Sequence, residues 1–484
     1  MATVRKSLFF SFLERFTMIA LALASSMIIA RLLTPEDIGL YGVAAALMAV
    51  AHIVRDFGIS SYLIQEKHLT EDHKRTAFTL TLIIGITLFA ITRFIAEPVA
   101  AFYEDERMIE ILLVMSVNFL IIPFNATTIS LLMRDMNFPS LFWIRAIASV
   151  TEATTAITLA LNGFGYMSLA WAALVNTSTL AIILLIYKPK EYWYFPTLSK
   201  WRKVLSFGAQ ASLSNMIFRS FMYVNDIVIG KVLNFAAVAI LSRASGIMFM
   251  FDRDFMQAIQ NVAYPAFAQA NRENADLENA HTRSTAALTA IAWPCYGFLS
   301  LYALETVRFL YGHQWDAAAP LIPVFCLAGA VAAMWKLNKQ VIMAMGYPNL
   351  TLRAEVLILL IRIATLTYCA LNYDTLMPYA VAFLIPYLAA FPIYYYYKST
   401  VLPSNWPQKI IGLAYSALLT LITLALPVCF EIMLEMEIIS LNEFQIILIA
   451  GPLTVLSWFA ALKILNHPII DDPVFPEKLR RMLR

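Results

Sequence analysis

Apolar windows of about 20 residues, the length that crosses a bilayer as a helix, recur along the whole chain with short polar breaks between them. They fall at 8–30, 40–63, 77–97, 109–133, 141–161, 166–187, 204–230, 236–258, 285–310, 318–345, 352–371, 376–397, 409–430 and 444–464. The pattern predicts an all-α polytopic membrane protein with about 14 transmembrane helices. The longest breaks on the side read as internal are 188–203 and 259–284, which leaves no room for a soluble catalytic domain. The basic N-terminus is followed by an apolar run longer than the roughly 7–15 residues of a signal peptide, so it reads as an uncleaved first span.

The breaks alternate in charge. One set carries Arg5 and Lys6; Lys67, Lys74 and Arg75; Arg134; Lys188, Lys190, Lys200, Arg202 and Lys203; Arg272 and Arg283; Arg353; Lys398 and Lys409, with Lys478, Arg480, Arg481 and Arg484 in the tail. The opposite set is short and often acidic: Glu97, Glu104, Asp105 and Glu106, then Glu431, Glu435, Glu437 and Glu443. Basic loops stay on the cytoplasmic side, so both termini are expected there, in agreement with an even number of spans. Tyr192–Phe195 and Tyr394–Tyr397 beside basic residues read as an aromatic belt at the headgroups. His52, Lys67, His68, His73, Lys74 and Arg75 read as a solvated loop region.

Composition agrees. Hydrophobic residues make up 60% and charged residues 14%, with a mean hydropathy of +0.70, against about 25% charged in a soluble domain. A net charge of +3 does not suggest a nucleic-acid partner. Cys295, Cys326, Cys369 and Cys429 lie scattered in apolar runs with no CxxC spacing, so disulfides, metal and cofactors are not expected. No GxxxxGK[ST], HExxH or Ser-His-Asp pattern appears in a plausible setting. The chain reads as a non-enzyme without an ATPase of its own, and its energy source must be an ion gradient, a partner or consumption of product on the far side.

There is an internal repeat. Ile29–Thr34 aligns with Ile229–Asn234, Ala44 with Ala244 and Met48 with Met248, all 200 positions apart. Arg55-Asp56-Phe57 follows against Arg253-Asp254-Phe255 after a two-residue slip. An even number of spans lies between the copies, so both share one orientation. That predicts two six-helix lobes related by a parallel repeat, with a cavity between them. The expected divisions are 1–197, 198–400, and 401–484 for two additional helices and a basic tail.

The chemistry sits on polar positions inside the apolar windows. A charge at mid-depth costs roughly 2.5–3.5 kcal/mol on insertion scales, so such residues face a wet cavity or a partner. Arg15, Arg55, Arg145, Arg219, Arg243 and Arg362 are the arginines so placed. Asn215, Arg219, Tyr223 and Asp226 share one helix face. Guanidinium is permanently charged, planar and able to chelate two oxygens, which suits a phosphate head. Asp226 and Asp56 are possible coupling or salt-bridge groups. Arg145 and Glu152 form a stripe that reads as packing within a lobe, and Lys336, Asn338 and Lys339 are further candidates for a cavity.

RLLTPEDIGLY at 31–41, Asp56-Phe57-Gly58, LLMRDMNF at 131–138, GFGYMSLAW at 163–171, LSFGAQASLSN at 205–215, NDIVIGK at 225–231, YPAF at 264–267 and LYGHQWDAAAPLIPVF at 310–325 occur in an order that resembles the bacterial polysaccharide exporters. These belong to the multidrug/oligosaccharidyl-lipid/polysaccharide (MOP) superfamily, and the likeness is to the colanic-acid and succinoglycan branch, over about residues 5–400. The resemblance implies a flippase that moves an undecaprenyl-pyrophosphate-linked oligosaccharide from the cytoplasmic to the periplasmic leaflet of the inner membrane. It also implies that spans one, two, seven and eight line the lobe interface, which makes Arg15, Arg55, Arg219 and Arg243 the first choice for the pyrophosphate and Arg145, Lys336, Lys339 and Arg362 secondary ones. Membrane lipids, a polysaccharide polymerase and glycosyltransferases are the partners it brings with it. The sequence departs from the pattern at NFAAVAILSRA, 234–244, where the family usually has a Gly-rich turn. Competing readings are an organic-cation antiporter of the same superfamily, a membrane-embedded glycan polymerase or ligase, and a non-transporting scaffold.

Overall fold

The computed structural model describes residues 2–56, 58–187, 194–252, 256–438 and 441–466, with side chains described throughout except at 2–12, 56, 207–222, 257, 258 and 261. The described residues are helical, without strands. They divide into two compact units, Met1–Ala239 and Ile240–Arg484.

The first unit contains α1 (Ala2–Leu32), α2 (Pro35–Asp56), α3 (Ile59–Gln65), α4 (Glu71–Tyr103), α5 (Arg107–Ser116), α6 (Asn118–Arg134), α7 (Phe138–Leu161), α8 (Met167–Tyr187), α9 (Trp201–Val232) and the start of α10 (Phe235–Phe251). The second completes α10 and adds α11 (Gln257–Arg272), α12 (Leu277–Leu301), α13 (Ala303–Tyr311), a 3₁₀ helix (His313–Leu321), α14 (Ile322–Ala344), α15 (Pro348–Asn372), α16 (Leu376–Ser399), α17 (Trp406–Glu435) and α18 (Glu443–Leu465). Eleven spans among the described residues are long and apolar enough to cross a membrane, or twelve if the bent pair α12–α13 is one span. The expected seventh and eighth spans fall on α9, half of whose side chains lie outside the described residues, and on the 17-residue apolar α10. Large side chains such as Phe94, Ile186, Leu371, Leu421 and Leu456 point outward, where lipid tails cover them.

The helices depart from the periodicity at three places. The expected span 40–63 stops at Asp56, because Gly58 adopts φ 68° and starts the short α3, a left-handed conformation that glycine reaches without steric cost. Arg134 then donates to the carbonyls of Leu63 and Ile64 at 2.9 and 3.2 Å, closing the end of α3. The expected span 285–310 bends by 78° at Tyr302, whose hydroxyl donates to the Pro427 carbonyl at 2.7 Å. The expected loop 259–284 is largely the amphipathic α11 followed by the first turns of α12. The belt reading also fails for three rings. Tyr194 is buried beside Phe78, while Tyr394 and Tyr395 are buried and donate to Glu355 and to the Met334 carbonyl. Tyr192 and Trp193 lie outside the described residues.

The repeat is visible in the helix ends. α1 stops at Leu32 and α9 at Val232; α2 starts at Pro35 and α10 at Phe235. Both restarts are capped at equivalent positions, since Asp37 N–H donates to Thr34 Oγ1 at 3.1 Å and Ala237 N–H to Asn234 Oδ1 at 2.8 Å. Such caps satisfy amides that the first helical turn leaves unpaired. α2 packs on α9 and the start of α10 through small residues. A Cβ on Gly39 would lie 1.7 Å from the Phe235 carbonyl oxygen, and one on Gly230 2.6 Å from a Val43 methyl. In lipid, close backbone approach of this kind is what holds helices together.

Gly39→Ala must push backbone against backbone, so it is expected to lower stability by about 1–3 kcal/mol, read as a fall in the melting temperature of the purified protein. Gly42→Ala, whose added methyl would meet Val238 at 3.8 Å, is the near-neutral control. A second expectation concerns Glu66, which sits past the end of α3. Its hydrogen bond from Lys203 at 2.7 Å holds the carboxyl down at about 2, against an ordinary 4.5. The folded-state value is lowered, so the pair stabilises above about pH 4.5 and its contribution is lost as pH falls toward about 2. The melting-temperature difference between wild type and Glu66→Gln should shrink over that window.

Candidate functional site

In the first unit the predicted residues sit on α1, α2, α7 and α9. Arg15 is half-buried on α1. Arg55, in the last turn of α2, lies 3.2 Å from His52 Nδ1 and borders a cavity of about 10 Å³ shared with Ser60, Thr81 and Thr127. That is the space of about one water molecule. Arg145 is paired with Glu14 at 2.7 Å, joining α7 to α1. Asp226 is half-buried on α9 without an ion pair among the described residues. Arg219 is on the same helix, and its side chain, like that of Asp56, lies outside the described set.

In the second unit Arg243 projects from α10 over two rings, 4.8 Å from the Tyr311 centroid and 5.3 Å from that of Trp315. Guanidinium on aromatic faces keeps its charge while losing little rotational freedom at the next contact. Lys336 pairs with Asp252, both half-buried. Lys339 pairs with Glu355 at 2.8 Å, and Tyr394 donates to the same carboxylate oxygen at 2.7 Å. Arg362 is half-buried on α15. The structure thus joins Lys339 to α15 and Lys336 to Asp252, each with a carboxylate of its own.

Several polar groups had no local signal in the sequence. At one end of the first unit Arg107 binds Asp105 at 2.6 Å and Glu36 at 3.2 Å, and Glu36 also accepts the Ala236 N–H at 3.2 Å. One carboxylate therefore latches α5 and the N-terminus of α10 to α2, where the helix dipole favours negative charge. Lys231 pairs with Glu104 at 2.8 Å beside it. Hydrogen bonds from these cations hold the Glu104 and Asp105 carboxyls below their usual range. Asn234 caps α10 and Glu36 accepts an amide of its first turn, and the glycine that close approach needs is Gly39, on α2. In the second unit Glu278 is bound by both Lys398 and Lys409 and accepts the Asn405 N–H at 2.9 Å, tying α12 to α16 and α17. Arg308 holds Asp316 at 2.8 Å and Glu443 at 3.4 Å. Of the loop residues read as solvated, His73 is buried and closes a capping box with Thr70, and the His52 ring lies tilted against Phe119, centroids 4.8 Å apart. Among the described residues no group of three His, Cys, Asp or Glu side chains could hold a metal ion.

The fold is that of solved membrane transporters, among them one of the MOP superfamily. The chain superposes on an inward-closed lipid II flippase MurJ with a TM-score of 0.74, covering 96% of this chain and 100% of that one at 15% identity. It also superposes on an inward-facing multidrug resistance MATE family transporter of the MOP superfamily with a TM-score of 0.62, covering 79% and 95% at 15% identity. The chain belongs to the polysaccharide biosynthesis protein family, whose model matches residues 28–320. Its relatives include the teichuronic acid biosynthesis protein TuaB of Bacillus subtilis (strain 168), 24% identical over 315 residues, 62% of this chain and 62% of that protein. The succinoglycan biosynthesis transport protein ExoT of Rhizobium meliloti (strain 1021) is 27% identical over 339 residues, 68% and 67% of the two chains. The lipopolysaccharide biosynthesis protein WzxC of Escherichia coli (strain K12) is 19% identical over 343 residues, 70% and 69%.

The latch can be checked by a double-mutant cycle. Glu36→Gln and Arg107→Gln are expected to be non-additive by about 0.5–1 kcal/mol in unfolding free energy; additivity would mean that the contact contributes nothing.

Proposed function

We propose that this protein flips a lipid-linked oligosaccharide, carried on a polyprenyl pyrophosphate, from the cytoplasmic to the periplasmic leaflet of the bacterial inner membrane for the assembly of a surface polysaccharide. The observation that carries the reading is the family match over residues 28–320. The names of ExoT and WzxC, a transport and a lipopolysaccharide biosynthesis protein, point the same way. The reaction is movement without covalent change, so the protein needs a cationic, wet passage and no catalytic side chain. The lobes, in this reading, are 1–197 and 198–400, followed by 401–484, with both termini cytoplasmic. Polymerase and glycosyltransferases supply and consume the lipid-linked unit.

The pyrophosphate carries negative charge through about 30 Å of hydrocarbon. Arg243, already seated on Tyr311 and Trp315, supports a role as its counter-charge, because the rings orient the guanidinium. Arg15, Arg55 and Arg219 are the other positions assigned to the phosphates. Lys336 and Lys339 have carboxylate partners, which favours a role in holding the second unit together. Access then alternates: the cationic cavity faces the cytoplasm, binds the head, and reopens on the far side. The latch of Glu36 on the α10 N-terminus is a contact that such a cycle would break and remake.

Arg243→Gln or Arg219→Gln is expected to cut polymer export by about tenfold or more, the loss of one charge-assisted contact of about 1.5–3 kcal/mol. Secreted polysaccharide in a complemented deletion strain, with immunoblots to confirm insertion, gives the measurement. Normal export by both variants would remove this site.

A further inference from the structure

Several acids within the described spans have a cation beside them. Glu14 has Arg145, Asp252 has Lys336, Glu355 has Lys339 and Glu278 has two lysines. Glu152 does not. It lies on α7, Phe138–Leu161, about 21 Å from one end and about 14 Å from the other at 1.5 Å per residue. Its Oε2 accepts a hydrogen bond from Asn176 Nδ2 on α8 at 2.9 Å. No ion pair to Glu152 is found among the described residues.

The described charges on the surrounding elements form no ion pair with it. α8 carries no charged side chain, and the charged residues of α2 are confined to its ends. On α1 the described charges are Glu14, Arg15 and Arg31, and Glu14 is engaged by Arg145. On α6 Arg134 is held by the carbonyls of α3. An intramembrane carboxyl with a neutral donor and no cation is stable only if something positive joins it. A hard metal ion would require about six oxygen ligands, whereas Asn176 offers its N–H to the carboxylate.

We propose that Glu152, held by Asn176, is an exchangeable proton site within the first unit. Uptake forms an O–H bond on Oε1 with a proton from water, while Oε2 keeps the Asn176 hydrogen bond. Release breaks that O–H bond and returns the proton to water. If the transport reading above holds, this is where a proton gradient would act on it; the site itself rests only on the geometry of α7 and α8.

The test is an infrared titration of the full chain in lipid nanodiscs, from mildly acidic to mildly alkaline buffer. The expected result is a carboxylic-acid carbonyl band that titrates reversibly, disappears in Glu152→Gln and is indifferent to sodium. A spectrum that is the same in wild type and Glu152→Gln overturns the proposal, as does a band displaced by sodium at fixed pH. If Glu152→Gln does not accumulate, Glu152→Asp and Asn176→Ala keep a carboxyl group at the site. Both should then shift the midpoint of the band, and unchanged midpoints in both would overturn the proposal equally. No substrate has to move in this measurement, so a failure of the flippase reading and a failure of the proton site are separable.

Discussion

A charge inside hydrocarbon has to be answered, and the answer decides much of this molecule. With no water at mid-depth, an ionised side chain needs an opposite charge, an aromatic face or a wet surface. Arg145 takes Glu14, Lys336 takes Asp252 and Lys339 takes Glu355, each joining two helices that apolar packing alone would leave free to slide. Glu278 goes further and gathers two buried lysines from two helices. Arg243 is answered by the faces of Tyr311 and Trp315. That arrangement holds the guanidinium in place.

Backbone groups obey the same rule at the helix ends. Thr34 and Asn234 cap restarts 200 residues apart in the same way, and Glu36 accepts an amide that α10 would otherwise leave unpaired. Gly39 makes that contact possible, since any side chain there would occupy the Phe235 carbonyl. A small residue on one helix and a carboxylate one turn away thus set how α2 meets the start of α10.

Much of the architecture was legible in the chain because lipid imposes a simple code. Apolar windows marked most of the helices, and the 200-residue offset between Ile29 and Ile229 anticipated that α1 and α9 end alike. What escaped was governed by single residues or by distant partners. One left-handed glycine, Gly58, ends α2 inside an unbroken apolar run. The bend at Tyr302 has no polar marker, because its hydroxyl reaches Pro427, 125 residues away. Tyr394 and Tyr395 look interfacial beside Lys398 until Glu355 and the α14 backbone claim their hydroxyls. Arg145 and Glu14 are 131 positions apart, so no local spacing reveals that they pair. Glu36 lay within a motif that pointed to the family, yet its partner Ala236 could not be named from the motif.

The proposed cargo is a large, phosphate-bearing lipid. The most direct test is reconstitution of the full chain into liposomes with a fluorescent polyprenyl-pyrophosphate oligosaccharide placed in the inner leaflet. A membrane-impermeant glycosidase outside reports arrival at the outer leaflet. Protein-dependent release of the sugar, without exchange of organic cations, is the predicted result. Organic-cation exchange with no movement of the lipid-linked sugar would contradict the account.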